Sequence, residues 1–164
     1  EEYIAETLQN KFGVLEVDSL SIAHLSNGNF IKALEIIHLN EENQLFFNLF
    51  INLMRLSYRR KIKEMKQWSE QLAEMGRERQ KNFLNYCQRM IRENFIYNLH
   101  RKEMVYMTTE EQNFAVRFAP FINERNITGI MYELDEAQLH IEQNVNSKMV
   151  FFDFSLKIIV LLKQ

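Results

Sequence analysis

Apolar residues recur along this chain at spacings of three and four, and runs of period-two alternation are hard to find. That pattern predicts an all-α fold. Ile4, Ala5, Leu8 and Phe12 mark one face of a first short helix over Glu2 to Lys11, which Gly13 ends by taking a left-handed conformation. Asp18 or Ser19 is expected to cap a second short helix, stopped by Asn27-Gly28, and Asn29 to cap a third that reaches about Leu39. Longer helices follow. Gln44 to Tyr58 is apolar on nearly all sides, with Asn48, Asn52, Arg55 and Arg59 as its one polar stripe. Lys61 to Met75 turns Ile62, Met65, Leu72 and Met75 inward, and Glu78 to Leu99 does so with Phe83, Cys87, Met90, Ile91, Phe95 and Leu99.

Thr108 and Thr109 with Glu111 and Gln112 form overlapping capping boxes for a helix that stops near Pro120. Asn123 or Asn126 opens the next, whose core face is Ile127, Ile130, Met131, Leu134, Ala137 and Ile141. The last helix runs from Ser147 to about Leu162. The change from short to long helices places a domain boundary near Asn40: a small helical domain over 1–40 and a bundle of five or six helices over 41–164.

Composition narrows the function classes. A net charge of −2 provides no general attraction to nucleic acid or acidic membrane. The single cysteine, Cys87, excludes an internal disulfide and points to a reducing compartment; it lies on an apolar face, as a buried thiol does. The start, Glu1-Glu2-Tyr3-Ile4, does not read as a signal peptide, and Asp153, Lys157 and Lys163 interrupt the most apolar run, so a cytoplasmic protein without a membrane span is expected.

Candidate chemistry is sparse. Glu35 and His38 form one E-x-x-H, where a di-iron bundle needs two plus further inward glutamates. Glu136 and His140 lie opposite the apolar face. Neither a metal site nor a catalytic set is expected. The basic clusters Arg59-Arg60-Lys61 with Lys63, Arg77 with Arg79 and Lys81, and His100-Arg101-Lys102 are interleaved with Glu64, Glu70, Glu78 and Glu103, as on solvated helix faces. No phosphate-binding G-x-x-x-x-G-K-[ST] is present.

Three segments carry a resemblance. The tail Asn144-Val145-Asn146-Ser147-Lys148-Met149-Val150-Phe151-Phe152-Asp153 reads locally as helix punctuation, with Asn144 ending one helix and Asn146 capping the next. It also resembles the N-x-N-x-K-hydrophobic signature of the delta-prime and gamma/tau subunits of bacterial DNA polymerase III clamp loaders. Ile22-Ala23-His24-Leu25-Ser26-Asn27-Gly28-Asn29-Phe30-Ile31-Lys32-Ala33-Leu34 resembles their AAA+ lid segment, I-A-x-x-(x)-x-G-S-x-R-x-A-L. Ile31 stands where nucleotide-binding subunits carry a sensor arginine, and an aliphatic side chain cannot stabilise phosphate charge. The run Glu70-Gln71-Leu72-Ala73-Glu74-Met75-Gly76-Arg77-Glu78-Arg79-Gln80-Lys81-Asn82-Phe83-Leu84-Asn85-Tyr86 is similar to a collar helix pair of delta-prime subunits from the Bacteroides group.

The resemblance implies a partial AAA+ lid followed by a collar domain, and a structural, non-catalytic role in loading sliding clamps for DNA replication. It also implies gamma/tau and delta as partners through the collar. It implies no cofactor, no nucleotide binding by this part and no direct DNA contact. Phe46, Phe50 and Met54 lie about 100° round their helix from Leu45, Leu49 and Leu56, and in the last helix Phe151, Phe154 and Ile158 differ in direction from Val150, Phe152 and Ile159. One core stripe consumes only part of that surface, so these six residues are the expected interface; the opposing expectation encloses both helices wholly. The alternatives are a gamma/tau-type ATP-binding subunit, which Ile31 opposes, an unrelated helical adaptor with peptide-binding grooves, and an enzyme.

Overall fold

Among the described residues, 2–100 and 107–164 of a computed structural model, the chain is all-α. Its eight helices are α1 (Glu2–Phe12), α2 (Glu16–Leu25), α3 (Phe30–Arg59), α4 (Ile62–Ala73), α5 (Arg77–Asn98), α6 (Thr109–Phe118), α7 (Ile127–Glu142) and α8 (Ser147–Leu161). A 3-10 turn at Ala119–Phe121 follows α6, and no strand occurs among the described residues. No helix of the described residues is long and apolar enough to cross a membrane.

Contacts divide the chain into two compact units, Glu1–Leu45 and Phe46–Gln164. The first consists of α1, α2 and the first part of α3, around Ile4, Ala5, Leu8, Ile22, Ala23, Ala33 and Ile37. Gly13 and Gly28 take positive φ at the two turns, and Asn27 joins Gly28 in the left-handed region, as the chain punctuation requires. Asn29 caps α3: its Oδ1 accepts from the amides of Ile31 at 3.0 Å and Lys32 at 3.3 Å. Helix α2 starts earlier than expected and has no side-chain cap. Ser19, expected as a cap, is instead buried, donating to Glu16 O at 2.8 Å and accepting from Gln9 Nε2 at 2.9 Å.

The pause expected between Leu39 and Gln44 is absent: α3 is continuous over 30 residues. No glycine or proline lies between Phe30 and Arg59 to break it. Asn40, Glu41 and Asn43 are exposed residues of an ordinary helical turn. The boundary expected at residue 40 therefore falls inside a helix. The helix stops where Arg60 turns left-handed at φ 53° and the amides of Arg60 and Lys61 close on Ser57 O and Leu56 O.

In the second unit α4 lies along α8, α5 along α7, and α7 along α8. The C-terminal half of α3 joins them through rings and one indole: Phe46 meets Phe83 at 5.7 Å, Phe50 meets Phe118 at 5.6 Å, and Trp68 Nε1 donates to Leu49 O at 3.1 Å. Trp68, Phe83 and Phe151 form a three-ring centre with centroid separations of 6.0–6.3 Å.

The six side chains expected at an interface are core. Phe46, Phe50, Met54, Phe151, Phe154 and Ile158 are each 4% exposed or less. A helix apolar on several sides can bury more than one stripe, and here the C-terminal half of α3 and the inner sides of α8 carry these six residues into the core. Phe12, Ile62 and Leu99, expected inward, are 45–50% exposed. Each sits at a helix end: Phe12 closes α1, Ile62 opens α4 and Leu99 follows α5.

The expected capping box of α6 is complete: Thr108 Oγ1 accepts from Glu111 N at 3.2 Å, and Glu111 Oε1 accepts from Thr108 N at 3.0 Å. The overlapping box is not made, since Gln112 Nε2 turns to Met107 O. Neither Asn123 nor Asn126 caps α7 with its side chain. They build the turn before it: Asn123 Oδ1 accepts from the amides of Arg125 and Asn126, and Asn126 Nδ2 donates to Phe121 O and Leu161 O.

Candidate functional site

Two of the motif-bearing segments meet at one corner of the second unit. Gln80, 1% exposed near the start of α5, donates through Nε2 to Leu72 O at 3.0 Å and Met75 O at 2.7 Å. It thereby ties the start of α5 to the end of α4 and to the turn that follows it. Its Oε1 accepts from Ser147 Oγ, the first residue of α8, at 2.9 Å. Arg77 donates from Nη1 to Ile141 O at 2.9 Å, near the end of α7. Lys148 Nζ lies 2.9 Å from Glu70 Oε1, and this ammonium holds the Glu70 carboxyl below its usual range. The pair is half exposed, so it adds orientation more than stability.

The tail residues punctuate this corner as their local chemistry dictates. Asn144 takes φ 63° just past α7, and Val145 N closes on His140 O at 3.0 Å. Asn146 caps α8, its Oδ1 accepting from Met149 N at 3.2 Å. The residues from Glu70 to Gln80 and from Asn144 to Lys148 are thus one hydrogen-bonded assembly joining the ends of four helices. No protein-family model, curated protein or solved structure matches this chain.

Ile31 lies outside that corner, 69% exposed in the first turn of α3. Cys87 is 1% exposed, and burial pushes its thiol up, which leaves it without thiolate reactivity at neutral pH. His38 pairs with Glu41 at 3.8 Å and His140 with Glu136 at 3.9 Å. No three His, Cys, Asp or Glu side chains among the described residues converge as a metal site would require. Of the basic clusters, Lys81 is paired with Glu78 at 2.9 Å, and Arg101 and Lys102, like Glu103, lie outside the described residues.

Two surface features had no name in the sequence pattern. Helix α8 carries Met149, Phe152, Leu156 and Val160 at spacings of three, four and four, within roughly 80° of arc. Met149 is 68% and Val160 61% exposed, and the two between them are partly exposed. The stripe was hidden because buried residues alternate with it along a helix apolar nearly all round.

The other feature is a cleft of about 350 Å³ between the end of α3 and the α6–3-10 segment. Met54, Tyr58, Phe118 and Phe121 form its apolar surface, with Phe114 and Leu162. Arg55 and Arg59, one turn apart on α3, and Arg117 on α6 complete the lining, and no acid among the described residues contributes. Among the described residues none of these three arginines has an ion-pair partner. The i,i+4 pair on α3 was legible in sequence; Arg117, far along the chain, was not.

Proposed function

We propose that this chain is an assembly module of a clamp loader, of the delta-prime type, which holds partner subunits through its helical bundle and performs no chemistry itself. The observation that carries this reading is the corner: two segments that resemble collar motifs, far apart in sequence, form one network through Gln80–Ser147 and Glu70–Lys148. A motif whose residues cooperate in space is better explained by a common structural task than by coincidence. The order of a small three-helix unit followed by a larger bundle is consistent with lid followed by collar. The exposed aliphatic Ile31 favours a subunit that does not sense nucleotide over a gamma/tau-type one.

With the earlier interface candidates in the core, the contact surface falls to the α8 stripe. Apolar residues repeating along one exposed helix face suit packing against a neighbouring helical bundle. Co-expression with gamma/tau and delta subunits tests the reading. The chain is expected to co-purify with them. Met149→Glu combined with Val160→Glu is expected to abolish capture while leaving the helical circular dichroism unchanged. Absence of the wild-type chain from the captured complex would overturn the proposal.

A further inference from the structure

We infer that the cleft between α3 and α6 is a docking site for a short acidic peptide segment anchored by a large apolar side chain. The inference stands on the cleft alone and does not depend on the clamp-loader reading.

The shape sets the anchor. A volume of about 350 Å³ lies at the lower end of the range for ligand clefts, suited to an apolar side chain or two. The floor is already organised: Phe114 stacks on Phe118 at 5.0 Å, Phe118 on Phe121 at 6.5 Å, and Tyr58 meets Phe121 edge-on at 5.4 Å. Rings fixed by one another lose little freedom when an anchor enters. Tyr58 remains 67% exposed and Phe121 37%, so the floor is open to a partner.

The charges set the flanks. Arg55 and Arg59 stand on the α3 side and Arg117 on the α6 side, so an occupant meets guanidinium groups from two directions. Guanidinium pairs with carboxylate through two parallel hydrogen bonds, and with no acid partner among the described residues these donors are available to a partner. The chain as a whole carries −2, so this attraction is local. An acidic segment is therefore selected by the cleft and not by a general field.

Single-stranded nucleic acid fits less well. It needs cations that track a backbone and free aromatic faces for successive bases. Here the cations surround one apolar depression, and Phe118 is 6% exposed between its ring neighbours.

Fluorescence anisotropy with the whole chain tests the assignment. The probe is a labelled synthetic peptide with a central leucine–phenylalanine pair flanked on each side by two aspartates. Saturable binding is expected, weakened about tenfold or more by Arg55→Gln combined with Arg117→Gln and similarly by replacing the flanking aspartates with lysines. Both arginines are exposed, so the variant is expected to keep its helical spectrum. Should it not, the wild-type titration decides: affinity must fall as salt rises, since the charges are exposed. A peptide retaining its aspartates but with glycines at the centre must also lose at least tenfold. Any of the following overturns the inference: no saturable binding, salt-independent binding, equal binding by the folded arginine variant, equal binding by either altered peptide, or tighter binding of an oligothymidine.

Discussion

Asn146 illustrates how much one side chain can carry. Its carboxamide oxygen meets the amide of Met149, an orphan donor at the start of α8, while its neighbour Ser147 reaches across to Gln80. Asn146→Ala is expected to lower stability by about 1 kcal/mol, read as a shift in the urea midpoint at unchanged slope. An unchanged midpoint would show that solvent replaces the cap without cost. The sequence pattern identified this cap because capping is local: donor and acceptor lie three residues apart. Gln80 carried no such signal. Its amide nitrogen reaches back to the end of α4 and the turn after it, its oxygen serves α8, and nothing in a glutamine's sequence neighbours foretells partners on other elements.

At the scale of elements, α6 is fastened to α5 through one carboxylate. Glu111 completes the capping box and also accepts from Tyr86 Oη and Arg89 Nη2, each at 2.8 Å. Burial raises its carboxyl, but the Thr108 amide, the Tyr86 hydroxyl and the Arg89 charge outweigh burial and hold it below the usual value of 4.5. Burial and the Glu111 charge push the Tyr86 phenol up, so it stays a donor at neutral pH. A carboxyl lowered by folding stabilises above its unfolded value and loses that contribution as pH falls through its folded value. Glu111→Gln is therefore expected to cost about 1.5–3 kcal/mol at neutral pH, and the gap from wild type to narrow progressively below 4.5. Urea unfolding of both proteins across that range checks it; a constant gap would rule out the linkage. The capping box was legible at Thr108 and Glu111. Tyr86 and Arg89 were not, because they come from the preceding helix.

For the whole molecule, the distribution of apolar surface decides which residues hold the fold and which can meet partners. Phe151 is 0% exposed between Trp68 and Phe83, so Phe151→Glu is expected to remove the helical spectrum altogether, by burying a charge without a partner. A folded Phe151→Glu protein would require another packing of α8. By sequence alone the chain determined that it is helical, where most helices begin and end, and that no described element spans a membrane. Those properties follow from spacing, caps and breakers within a few residues of one another. The tertiary structure decided which side of an apolar helix is enclosed: Phe46 and Phe151 lie inward, while Met149 and Val160 face outward. It also merged two expected helices into α3 and brought Arg55 and Arg59 beside Arg117. The physical reason is that burial is a property of neighbours. Helical period orders the directions of side chains around an axis, but only packing determines which directions another helix occupies.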